Sequence, residues 1–182
     1  MKGLTNMEQN KIESLVEKIL SKATYEGDKV NIIALAKEEK FAVCNANMDD
    51  DVEGFILIDS NHDTIMGVET QRLIGVNNQL SIEEKRFLIA HELGHYFLHY
   101  KENMPLYAHR DHAKGKDGNE NDADYFSAIL LMPKDRFTKA YREVDEKENS
   151  QYNIYTKLVE IFGTPLESVI RRIEELNLAG NI

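Results

Sequence analysis

The chain has 182 residues, 42% apolar and 30% charged, ordinary values for a globular protein that needs no covalent staples. Its net charge of −10 argues against a general nucleic-acid binder and against binding to anionic membranes, and it favours a basic protein partner. The single cysteine, Cys44, excludes an internal disulfide framework and a Cys-rich zinc knuckle; with no secretory leader and no apolar run near the ~20 residues of a membrane span, a cytoplasmic location is expected.

Asn6 is positioned to cap a first helix with an apolar stripe of Ile12, Leu15, Val16, Ile19 and Leu20. Asn31 is expected to cap a short second helix through Ile32, Ile33, Leu35 and Ala36. Residues 41–44, 54–59, 65–68 and 72–76 read as strands, which predicts a small, mainly antiparallel sheet. The acidic run Asp49-Asp50-Asp51 lacks the ligand and glycine spacing of a calcium loop and is expected to be a solvated turn. Ser81-Ile82-Glu83-Glu84 is a capping box that opens a helix over 83–100, with no proline inside it. Its broad apolar set (Phe87, Leu88, Ile89, Ala90, Leu93, Phe97, Leu98) suits a helix buried on most sides. Residues 101–118, with Pro105 and two glycines, read as an irregular surface loop, and loops of that length often cover a site. A helix is expected over 120–132, stopped by Pro133, then a charged helix over 134–143. Two further helices, 152–162 and 165–176, flank Gly163, the second opened by a Thr164-Pro165-Leu166-Glu167 box. The pair resembles a helix-turn-helix, but in so acidic a chain packing is the expected role rather than DNA reading.

His91-Glu92-Leu93-Gly94-His95 stands inside the helix over 83–100. Residues i and i+4 lie on one helical face about 6 Å apart along the axis, so both imidazoles can share one zinc ion. Glu92 is then placed to take a proton from a water at the metal. Shuffled composition predicts only about 0.02 copies of the pattern. A catalytic zinc takes three protein ligands, so a third is expected elsewhere. His99, two turns from His91, is too far along the axis to join the shell and is expected to complement the helix dipole instead. Glu120 and Asp124 are one turn apart, so Glu120 can bind the metal while Asp124 accepts the remaining N–H of a ligand histidine. Asp122 falls about 200° around from Glu120, off that face.

Together, His91-Glu92-Leu93-Gly94-His95 and the run from Glu120-Asn121-Asp122-Ala123-Asp124 through Tyr125-Phe126-Ser127 to Met132-Pro133 resemble the ImmA/IrrE family of metallopeptidases. Arg86-Phe87 and Val76-Asn77 also match its pattern. The resemblance implies a compact α+β, zincin-like fold: a small sheet, an HExxH active-site helix, a second helix bearing a glutamate ligand, and a C-terminal helical part. It implies one metallopeptidase-like domain over 1–182, with a zincin core over 31–133 and a helical subregion over 134–182. Carried over by position, His91, His95 and Glu120 bind one zinc ion and Glu92 is the catalytic carboxylate. Asp122, where the family often has Glu, is expected to be idle; Asp124, where Asn is frequent, would accept more strongly.

Family members cleave helix-turn-helix repressors, which implies a zinc-dependent endopeptidase making a site-specific cut in such a partner. No stretch resembles a fused amino-terminal DNA-binding domain, so the repressor is expected to be a separate chain. Tyr125, His109, His112 and Tyr107 are candidates for stabilising the oxyanion, and an edge at 65–68 for pairing with an extended substrate. The alternative for the loop histidines, His109 and His112, is that they are solvated side chains. Two alternatives are a non-proteolytic zinc module that binds and regulates a repressor, and a zinc hydrolase acting on a small molecule from a deep apolar pocket.

Overall fold

The computed structural model describes residues 5–101, the backbone of 106–111, and residues 118–148 and 150–180, and among these it has seven α-helices, six strands and a short 3-10 helix (Leu178–Gly180). Helix α1 (Asn6–Leu20) is capped by Thr5, one residue earlier than expected, because Thr5 and Glu8 form a reciprocal capping box. Its buried face is Ile12 and Val16. A hairpin of β1 (Tyr25–Glu26) and β2 (Lys29–Val30) follows, turning through Gly27 at φ 63°. Asn31 then caps α2 (Ile32–Glu38), its side chain accepting from the Ala34 amide at 2.9 Å.

The main sheet contains β3 (Ala42–Ala46), β4 (Val52–Ile58), β5 (Arg72–Asn77) and β6 (Leu106–Asp111), in the spatial order β3-β5-β4-β6. β5 is parallel to β3 and antiparallel to β4, and β4 and β6 are antiparallel. The fold is therefore α+β with a mainly antiparallel sheet. Alternation along the strands sends Ile56, Ile58, Ile74 and Val76 into the main core, and Phe55 and Leu73 into a small cluster with Ile65.

Residues 65–68 are not a strand. Met66 (φ 50°) and Gly67 (φ 79°) make a two-residue turn, and Ile65 and Val68 exchange both backbone hydrogen bonds at 2.9 Å across it. That segment therefore offers no extended edge to a substrate. Nor is 101–118 wholly irregular: Leu106–Asp111 pairs with β4 at one edge of the sheet, where charged and polar residue types are tolerated.

Helix α3 (Ile82–His99) opens with the expected Ser81/Glu84 box and buries eight consecutive residues from Leu88 to His95. It packs against α4 (Gly118–Leu131), and the two helices share the main core with α1, α2 and the sheet. At Gly94 the two helices pack closely. A Cβ there would stand 3.1 Å from the Ala123 Cα, so only glycine lets the backbones meet at this distance. Arg86 ties α3 to its surroundings, donating to the Val30 and Gly163 carbonyls at 2.9 and 3.0 Å.

After Pro133 come α5 (Lys134–Asp145), α6 (Gln151–Phe162) and α7 (Leu166–Glu175), which enclose a second core of Met132, Phe137, Leu158, Phe162, Val169 and Ile173. Gly163 closes α6 in the left-handed region, φ 61°. The Thr164 box does not form. Pro165 is the N-cap, and the buried Thr164 hydroxyl instead lies 3.5 Å from the Met132 sulfur. No helix among the described residues is long and apolar enough to cross a membrane.

Candidate metal centre

The i,i+4 spacing on α3 brings the His91 and His95 rings together at 4.7 Å between centroids, with their Nε2 atoms 3.0 Å apart. From the first turn of α4, Glu120 places Oε2 3.2 Å from His91 Nε2 and Oε1 3.1 Å from His95 Nε2. Four-coordinate zinc holds its ligands at about 2.0–2.2 Å, which puts neighbouring ligand atoms roughly 3.3 Å apart. Separations of 3.0, 3.1 and 3.2 Å therefore suit three donors around one ion. The donor set of two imidazoles and a carboxylate is also one that zinc favours.

His91 and Glu92 are fully buried, and His95 is nearly so. Glu120 keeps a quarter of its side chain exposed, so the cluster opens to solvent on its side. Burial works against the Glu120 carboxylate, but hydrogen bonds and charge from His91 and His95 outweigh it and hold the group well below the usual carboxylate range. Asp124, one turn further along α4, sets its Oδ1 3.0 Å from His91 Nδ1. With a metal bound, accepting the Nδ1–H would leave the His91 Nε2 lone pair for the ion, in place of the hydrogen bond that Nε2 makes to Glu120 without it.

The structure does not bring Tyr125 to this cluster. It stands about 140° around α4 from Glu120 and donates its hydroxyl to Glu13 of α1 at 2.7 Å. Burial and that bond push the phenol up. Tyr107 and His109 occupy β6 in register with Leu57 and Phe55, with their side chains outside the described residues; His112 lies outside them altogether. A cavity of about 1100 Å³ between α1, α4, α5 and α7 is lined by Asp124 and Tyr125, among others, but by none of His91, Glu92, His95 and Glu120. Two residues expected to be idle beside the metal, His99 and Asp122, lie at its border: His99 Nδ1 is 3.3 Å from His95 Nδ1, and His99 Nε2 is 3.5 Å from Asp122 Oδ2. The i+8 position of His99 was visible in sequence; its approach to Asp122 depends on how the two helices cross.

A family model described as the IrrE N-terminal-like domain (Peptidase_M78) matches residues 43–174, which include every member of the cluster. No curated protein matches the chain. Among solved structures, a Mycobacterium tuberculosis transcriptional regulator is similar in fold, with a TM-score of 0.53 at 14% identity over 93% of this chain. The present chain spans about half of that protein, 47% of its length.

Proposed function

The chain belongs to the family of IrrE N-terminal-like peptidase domains, and on that premise we propose that it is a zinc-dependent endopeptidase making one site-specific cut in a helix-turn-helix repressor. The observation that carries this reading is the convergence of His91, His95 and Glu120 beside the buried Glu92. These three side chains would hold the ion, leaving one tetrahedral position for water or substrate. A structural site usually fills that position with protein and needs no base, so the arrangement favours hydrolysis over a purely scaffolding role.

Zinc, when bound, supplies Lewis-acid polarisation of the scissile carbonyl and makes the attacking water more acidic. Glu92 takes a proton from that water as its oxygen bonds to the carbonyl carbon. It then delivers the proton to the amide nitrogen as the C–N bond breaks. Asp124 keeps His91 in the tautomer that presents Nε2 to the metal. The net charge of −10 raises the encounter rate with a basic DNA-binding domain, and salt screens that attraction. We take 31–133 as the catalytic core and 134–182 as a helical part resting on it.

The test is incubation of the full chain with any helix-turn-helix repressor encoded beside its gene, comparing wild type with Glu92→Gln at matched zinc content. A single cut made only by the wild type supports the reading. Tight zinc-dependent binding with no cut by either protein moves the assignment to a module that regulates the repressor by holding it.

A further inference from the structure

We propose that His99, backed by Asp122, is a positioning residue for the ligand His95, doing for that imidazole what Asp124 does for His91. This rests on the zinc reading above and extends it to a second helical turn. His95 Nε2 faces the cluster, 3.0 Å from His91 Nε2 and 3.1 Å from Glu120 Oε1. Its other nitrogen, Nδ1, lies 3.3 Å from His99 Nδ1.

One condition then settles every hydrogen in the chain of contacts. A neutral imidazole that offers its Nε2 lone pair to a metal must carry its hydrogen on Nδ1. His95 Nδ1–H therefore donates to His99 Nδ1, which must be bare. The His99 hydrogen then sits on Nε2, the atom facing Asp122 Oδ2 at 3.5 Å. Asp122, an acceptor when ionised, ends the relay. Electron density pushed along it makes His95 a better ligand and holds its ring plane.

Packing makes the relay possible. Residues 91, 95 and 99 descend one face of α3, with ring centroids 4.7 and 5.5 Å apart. The carboxyl end of α3 meets the first turn of α4, so Asp122, which leaves α4 on a different side from Glu120, reaches the third histidine. His99 keeps 18% of its side chain exposed and Asp122 29%, so the outer bond of the relay is partly screened by solvent. A His99 that only complemented the helix dipole would fix no tautomer and would leave zinc affinity untouched.

The experiment measures zinc affinity by chelator competition, and the hydrogen bonding of the His95 Nδ1–H in zinc-loaded protein by ¹⁵N imidazole NMR, on the full chain. Wild type is expected to bind one zinc, with binding lost in His91→Ala, and to show a His95 Nδ1–H that is held by a hydrogen bond and slow to exchange with water. His99→Leu should lower zinc affinity by about 10- to 100-fold without moving the melting temperature of the metal-free protein, and should leave the His95 Nδ1–H exchanging quickly with water. His99→Gln, whose amide oxygen can still accept the Nδ1–H, should recover most of the affinity, and Asp122→Asn should fall between. If wild type binds zinc and His99→Leu binds it equally well with an equally protected His95 Nδ1–H, the positioning role is refuted while the zinc site stands. If wild type binds no zinc through His91, the site reading and this inference fail together.

Discussion

Replacing Gly94 with alanine places a methyl group where α3 and α4 meet, on the turn of α3 that runs from His91 to His95. The new carbon would stand 3.1 Å from the Ala123 Cα, 3.2 Å from Phe126 Cδ1 and 3.3 Å from the Ala123 Cβ, inside ordinary van der Waals contact. All three atoms belong to α4, two of them to Ala123, so the helix must retreat by a few tenths of an ångström. Glu120 sits one turn before Ala123 and moves with it. Ligand distances in metal sites hold to within about 0.2 Å, so the retreat consumes the tolerance of the site. Alanine in place of a helical glycine meanwhile contributes about 0.5–1 kcal/mol, offsetting much of the packing cost. The expected signature is therefore split: a metal-free melting temperature within a few degrees of wild type, and zinc affinity about tenfold weaker, or ~1.4 kcal/mol. Gly94→Val should exaggerate both the contact and the loss. Differential scanning fluorimetry on the metal-free protein and chelator competition read the two halves separately. Wild-type zinc affinity in Gly94→Ala would refute the reasoning, because Glu120 would then be following the histidines rather than its helix.

Glu92→Gln should cut repressor cleavage by about 10²–10⁴-fold while zinc content stays at wild type, as read by metal analysis of the protein used in the assay. Asp124→Ala should weaken zinc binding by about 10- to 100-fold, because His91 Nδ1 loses the acceptor at 3.0 Å that fixes its tautomer; equal affinity would show that burial alone orients the ring. Stripping the metal with a chelator should abolish cleavage and lower the melting temperature, since a ligand present at about a thousand times its Kd stabilises the folded state by about 4 kcal/mol. In metal-free protein, the folded Glu120 carboxyl titrates below its unfolded value. Its contribution is therefore present above the unfolded value and lost as pH falls through the folded one. The gap in urea midpoint between wild type and Glu120→Gln should accordingly be wide at about pH 6 and shrink at about pH 3.

Much of this architecture was legible where local chemistry decides. Ser81 and Glu84 announced α3, Asn31 announced α2, and Pro133 marked the end of α4. The i,i+4 pair of histidines and the Glu120–Asp124 spacing carried the centre as far as a helical period can. Misreadings fell where a different local rule won. Thr5, not Asn6, caps α1, because Glu8 answers it. Ile65 and Val68 look like strand residues but flank a turn set by Met66 and Gly67. The β1–β2 hairpin did leave a signal, Gly27-Asp28 between short strand-forming pairs, though two residues a side give little periodicity to detect. Leu106–Asp111 was hidden because an edge strand needs no apolar alternation on both faces. Asp122 was out of reach for another reason. Its partner depends on how two helices cross, which no single-helix projection contains.

His95 and Glu120 are separated by about 25 residues, and the chain between them leaves α3, crosses to pair with β4 and returns as α4. A metal shared by the two ends is thus also a cross-link. By loop-closure entropy, a tie across that span removes freedom from the unfolded chain worth about 3–4 kcal/mol. The ion and the edge strand then act on the same segment from opposite sides, one pinning its ends and the other its middle. Loss of metal releases the ends first, so hydrogen exchange along the first turn of α4 should quicken before that of the buried middle of α3.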